Sequence, residues 1–226
     1  MRAVKGVDTV LLASSGPGTG TRDANVANTA AAAGAGRIVR ISIAGVDAGD
    51  GDPVTQWHRA GEEAIDRVGI PRTCLRCGEL MTTALWWAAT IRGMRKVIVP
   101  YPDTPSAPID PGDVATVTVR CLRSAAPTTP KPSCSPGPRS SPPERPSNGP
   151  DDSLGTTWRA PRSPTTRHSR RWCRGSATGD CQCRLDMIEI KSKGPGAAPS
   201  DTVETVTRRP PDTFDDWAAP NLAAFR

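Results

Sequence analysis

Three side chains offer chemistry most directly: Ser42, His58 and Glu62. His58 and Glu62 are four residues apart in a stretch of helical periodicity, so one turn brings imidazole and carboxylate together. That pairing predicts a histidine favoured as imidazolium, serving as a general acid, as a polar pocket wall, or simply as a surface histidine paired with Glu62. Ser42 closes a β-branched run, a position that is either pocket lining or a plain strand end. A second set, Ser14, Ser15 and Gly16, opens the turn SSGPGTG after an apolar run. Ligands of open α/β sheets bind at the carboxyl ends of the strands, which makes this turn a candidate binding edge. It is not a nucleoside-triphosphate loop, having no Gly-Lys-Ser/Thr, and G-P-G-T-G-T does not match G-x-G-x-x-G. Cys74 and Cys77 form a C-x-x-C, and Cys181 and Cys183 a C-x-C. The first pair falls in an apparent buried strand and the second in a tract with no core. A small buried thiol with an incidental neighbour is therefore expected, and no metal site.

The elements that must position these residues run mainly from Gly36 to Arg92. Val7 to Ala13 and Arg37 to Ile43 read as strands, and the Ala-rich run from Arg22 to Ala33 as the helix between them. Asp52 and Pro53 are the N-cap and first residue of a second helix, with Val54, Trp57, Gly61, Ala64, Ile65 and Val68 at helical spacing and Gly69 closing it. Thr73 to Arg76 is a third short strand, Glu79 to Arg92 a helix, and Lys96 to Val99 a further strand. Pro100 to Ile109 is a Pro-rich loop holding Tyr101, the only tyrosine. Asp110-Pro111 caps a helix with Val114, Val117, Cys121 and Leu122 on one face. Thr213 caps a last helix carrying Phe214, Trp217, Leu222 and Phe225, which Pro220 kinks or ends. Trp57, Trp86 and Trp87 read as core and rim packing rather than a stacking platform. Strand alternating with helix predicts a parallel α/β sheet.

Composition changes sharply along the chain. From 124 to 200 the only Leu, Ile, Val or Phe are Leu154, Leu185, Ile188 and Ile190, while 13 of the 24 prolines fall there. Such a tract cannot bury enough apolar surface to offset its ordering entropy. It also holds 12 basic and 6 acidic residues, so the whole net charge of +6 resides in it and the remainder is neutral. That argues against a specific nucleic-acid partner despite the basic balance. An odd count of seven cysteines without a secretory signal predicts a reducing cytoplasm, and no apolar run is long enough to suggest a membrane span.

Four blocks together carry a resemblance: GVDTVLLASSGPGT, RIVRISIAGVDAGDGDPVTQWHRAGEEAI, TCLRCGELMTTALWWAATIR and PIDPGDVATV. They resemble the NmrA-like branch of the atypical short-chain dehydrogenase/reductases, over residues 4–123 and again over 201–226. The resemblance implies an α/β fold class: a partial Rossmann-type parallel sheet with flanking helices over 1–123. A Pro/Arg-rich tract expected to be disordered covers 124–200, and a short C-terminal helical tail 201–226. It implies NAD(P)H as cofactor, with Ser14, Ser15 and Gly16 beside it, Ser42 where relatives often orient a substrate carbonyl, and a small-molecule substrate. Oligomeric state stays open.

The departures are as definite. The family's opening strands and its G-x-x-G-x-x-G loop are absent from these residues, so the chain is expected to be amino-terminally truncated. His58 and Glu62 stand where competent relatives carry Tyr-x-x-x-Lys. The functional expectation is an NAD(P)-binding protein related to NAD(P)H-dependent oxidoreductases but impaired. The alternatives are a non-catalytic NAD(P)-sensing regulator and a remnant that does not fold stably. The tract from 124 to 200 reads either as out-of-frame translation of a GC-rich gene or as a genuine linker or basic tail.

Overall fold

The computed structural model describes residues 4–95, 97, 106–124, 186–190 and 200–226. Three parallel strands form the sheet in the order β1 (Thr9–Leu12), β2 (Arg37–Ile43), β3 (Arg72–Cys77). The register sets Leu12 opposite Arg40 and Arg40 opposite Cys74, so Arg40 lies at the centre of the sheet. Parallel neighbours require crossover helices. These are α1 (Thr19–Ala32), then a single turn α2 (Gly45–Ala48) followed by α3 (Pro53–Val68). Helices α1 and α3 cover one face of the sheet. There Leu12 and Ile38 pack with Ala27 and Ala30 of α1 and Ile65 of α3.

The opposite face is covered by α5 (Pro111–Arg123) and α6 (Thr202–Thr207), which follow α4 (Ala88–Met94) in the chain. Val39 and Leu75 of the sheet, Val117 of α5 and Val203 of α6 are wholly buried together. Arg37 ties this layer down by donating to the Leu122 carbonyl at 2.9 Å, at the last turn of α5. The C-terminal segment adds α7 (Phe214–Asn221), whose Trp217 packs on Met81 and Ala84.

Local signals explain the boundaries. Asp52 accepts a hydrogen bond from the Thr55 amide at 2.9 Å, Pro53 begins α3, and Gly69 closes it at φ +76°, in the left-handed region that favours glycine. Asp110 caps α5, and Thr213 with Asp216 forms a capping box on α7. Pro220 sits in the last turn of α7, which ends one residue later at Asn221. The expected fold class, a mixed α/β structure on a parallel sheet with flanking helices, is what the described residues form.

One expectation is corrected. The helix anticipated over Glu79–Arg92 is a 3-10 helix over Met81–Trp87 continued by α4. Its start is extended: the Met81 amide donates to the Ile109 carbonyl at 3.0 Å and Ile109 donates back to Glu79 at 2.8 Å, so residues 79–80 pair sideways. The strand Arg37–Ile43 forms as expected, and its Arg40 and Ser42 point towards α1 and α3. The strand read at Lys96–Val99, the loop with Tyr101 and the tract 124–200 fall largely or wholly outside the described residues.

Candidate functional site

The alternation of β2 turns Ile38, Arg40 and Ser42 towards α1 and α3, and that of β3 turns Arg72, Cys74 and Arg76 the same way. A sheet face with so many polar residues can be buried only if each is paired. The helices supply the partners. Arg40 is fully buried, and its Nε donates to Asp23 Oδ2 of α1 at 2.7 Å. Gly61 of α3 lies directly over this pair. A Cβ there would run into the Asp23 carboxylate and the Arg40 guanidinium, which explains a glycine inside a helix otherwise better served by alanine.

Nearer the carboxyl end of the sheet lies Glu62. Ser42 Oγ donates to Glu62 Oε1 at 2.6 Å, Arg76 Nε donates to the same oxygen at 3.0 Å, and Arg76 Nη2 bonds Oε2. Arg76 also binds Asp47 of α2, and Arg72 reaches Asp66 and, at 3.5 Å, Glu62. Burial raises the Glu62 pKa. The hydrogen bonds from Arg76 and Ser42 and the charges of Arg76 and Arg72 overcome that and hold the carboxyl below its usual value.

His58 stands one turn before Glu62 but faces different partners. Its Nδ1 is 3.2 Å from Arg40 Nη1, and its Nε2 is 3.4 Å from Ser15 Oγ in the turn after β1. Burial first, then the Arg40 charge, lowers its pKa from 6.5 to about 4, outweighing the carboxylates of Glu62, Asp23 and Asp52. The expectation of a Glu62-paired imidazolium on the surface is therefore corrected. His58 is 6% exposed and neutral, because burial disfavours its charged form and the Arg40 guanidinium 3.2 Å away adds to that.

The turn itself is braced from within. Ser14 Oγ bonds Asp23, Thr19 Oγ1 donates to the Gly16 carbonyl at 2.6 Å, and Arg22 donates to the carbonyls of Ser15 and Pro17, each at 2.7 Å. Gly16 adopts φ +92° with open space above it, and Ser15 is exposed. The structure thus brings Ser15 to His58, with Ser14 and Gly16 on either side of it in the turn, and buries Ser42 and Glu62. Asp23, Arg40 and Arg76 were not singled out by sequence. The available signal was arginine inside strands, at Arg40 and Arg76 among others, a residue type that is buried only when paired.

The C-x-x-C does not form a unit. Cys74 faces α3 beside Arg72, whereas Cys77 packs on the other layer, and both are buried thiols. Burial, reinforced by Glu62, pushes the Cys74 pKa up to about 11. Among the described residues no three His, Cys, Asp or Glu side chains gather as a metal site would need. Trp86 is half exposed, and Trp87 packs beside Met81 and Trp217. A shallow depression lined by Gln56, Arg59, Ala60 and Glu63 holds none of the candidate residues.

An NADPH-dependent quinone oxidoreductase from Escherichia coli, solved with NADPH, superposes with TM-score 0.77 at 20% identity, covering 98% of this chain and 78% of that one. The chain shares its fold. A triphenylmethane reductase from Citrobacter sp., solved with NADP(H), gives 0.72 at 16% identity, covering 95% and 77% of the two chains. A nucleoside-diphosphate-sugar epimerase from Staphylococcus aureus gives 0.73 at 14% identity, covering 96% and 77%. In sequence, a (4-alkanoyl-5-oxo-2,5-dihydrofuran-3-yl)methyl phosphate reductase from Streptomyces griseus is 40% identical over 122 residues, which is 54% of this chain. The chain spans 43% of that relative's length. No family model matches. Among the described residues no helix is long and apolar enough to cross a membrane.

Proposed function

We propose that this chain is an NmrA-like protein of the NAD(P)H-dependent reductase type, whose described residues furnish the nicotinamide end of a cofactor site. What carries the reading is the 40% identity to a phosphate-bearing butenolide reductase, together with the fold shared with NADPH-bound oxidoreductases. The carboxyl-edge residues fit the uncharged end of the cofactor. Ser15 is an exposed hydroxyl, Gly16 leaves room above the turn, and His58 is neutral beside them. They do not fit the pyrophosphate. Arg22 is committed to loop carbonyls, and no G-x-x-G-x-x-G turn occurs in the 226 residues. Dinucleotide binding by these residues alone is accordingly impaired. Ser14, Ser15 and Gly16 would line the cofactor, which when bound supplies the hydride, while Glu62 and Ser42 hold the floor beneath. A small-molecule substrate follows from the same reading, as does a reducing cytoplasm, in which Cys74, Cys77 and Cys121 remain thiols.

A second reading, a non-catalytic NAD(P) sensor, is favoured by one observation. Neither His58, neutral to about pH 4, nor Glu62, bound by Arg76, is poised to give a proton at neutral pH. Titrating NADPH into the purified chain while following Trp fluorescence distinguishes these readings. Saturable quenching with turnover of a quinone or butenolide supports the reductase, quenching without turnover the sensor, and no quenching a remnant.

A further inference from the structure

We propose that Arg40 is a positioning residue that holds His58 as a neutral imidazole with its proton on Nε2. His58 thereby offers a hydrogen bond, not a proton, to a carbonyl-type oxygen at the carboxyl edge of the sheet. The Arg40 guanidinium has donors and no acceptor. Arg40 Nη1 lies 3.2 Å from His58 Nδ1. A protonated Nδ1 would set N–H against N–H, so Nδ1 must accept and the single ring proton must reside on Nε2. Arg40 cannot turn away, because its Nε is held by Asp23 at 2.7 Å and its Nη1 also donates to the Ile41 carbonyl at 2.9 Å. The charged groups around the ring are Arg40 on β2, Asp23 on α1, Glu62 on α3 and Asp52 at its cap. Glu62 is paired with Arg76 and Asp23 with Arg40, while Asp52, the weakest of the three carboxylates acting on the ring, accepts from the Thr55 amide.

The Nε2–H points at Ser15 Oγ, 3.4 Å away and exposed, a contact longer than a good hydrogen bond. An oxygen acceptor entering beside Ser15 would find two donors, the imidazole N–H and the serine hydroxyl, on a neutral site. That selects an uncharged carbonyl over a phosphate or carboxylate, which would prefer a cation. Two sources share this chemistry, the nicotinamide carboxamide and the carbonyl of a reducible substrate. This ligand assignment rests on the NAD(P)-linked reading above, whereas the tautomer does not.

The test is nitrogen-15 NMR of the full chain bearing His168→Asn, which leaves His58 as the only imidazole. The expected spectrum is that of the Nε2–H tautomer, unchanged from pH 8 to 5. An Nδ1–H or imidazolium pattern at pH 6 in the folded chain overturns the proposal. Arg40→Met should mix the tautomers and raise the His58 pKa from about 4 towards 6.5, which a purely structural role would not do. Should that variant fail to fold, the unaltered Arg40 spectrum still decides. For the ligand, NADPH and then crotonolactone are added in turn. A downfield move of the Nε2 proton with NADPH alone assigns the carboxamide, a move only with the lactone assigns the substrate carbonyl, and no move with either overturns the donor role. Loss of NADPH binding by fluorescence with an intact Nε2–H pattern would sink the functional reading while leaving the tautomer in place.

Discussion

Arg40 Nε donates to Asp23 Oδ2 across 2.7 Å, and both side chains are almost completely withdrawn from water. The pair joins the centre of the sheet to α1, and Arg40 Nη2 has no hydrogen-bond partner among the described residues, so its desolvation is incompletely offset. Asp23→Ala should therefore cost about 3–5 kcal/mol, by leaving a buried guanidinium unpaired. The double variant Asp23→Leu with Arg40→Met should recover most of that loss. Urea unfolding followed by Trp fluorescence measures both, and a double variant no better than the single would show the pair to be net stabilising.

The same neighbourhood makes the fold acid-sensitive. His58 has a folded pKa below its unfolded one, so between about pH 6.5 and 4 the unfolded chain binds more protons and stability falls as pH drops. Glu62, also held below its ordinary value, adds loss in the same direction once pH falls below 4.5. The His58 contribution is on the order of 3 kcal/mol between those limits. His58→Gln should flatten the stability profile between pH 6.5 and 4.5 while leaving the steeper fall below it.

Two glycines in helices should respond oppositely to alanine. At Gly61 the new methyl meets the buried Asp23 and Arg40 side chains, and about 1–3 kcal/mol of destabilisation is expected despite better helix propensity. At Gly93 in α4 no atom of the described residues lies within 4 Å of the added methyl, and a gain of about 0.5–1 kcal/mol is expected. Melting temperatures that move in the same direction for both would contradict the packing described over Asp23.

Asp113 anchors the C-terminal segment. Fully buried in the first turn of α5, it accepts from Arg209 Nη2 at 2.6 Å and from the Asp212 amide at 2.8 Å. Asp113→Ala should free residues 208–213, with faster proteolytic cleavage there and a loss of about 1–3 kcal/mol. Unaltered cleavage kinetics would mean that Val203 and Trp217 alone hold the segment.

Local chemistry made much of the fold legible. The caps Asp52, Asp110 and Thr213, the stop at Gly69 and the run from Arg37 to Ile43 each act within a few residues, so composition and spacing suffice to place them. Where a lateral bond intervened, as between Leu80 and Ile109, the helical pattern misled, because the partner is 29 residues away in the chain.

The candidate site divides along the same line. From sequence alone came the residues at the strand ends, Ser14, Ser15, Gly16 and Ser42, and the one-turn spacing of His58 and Glu62. Only the tertiary structure separated that last pair, giving His58 to Arg40 and Glu62 to Arg76. Helical spacing says which side chains are near each other. It cannot say which of them the fold will bury, or which partner another strand will set beside them, and burial together with those partners decides which groups hold a proton.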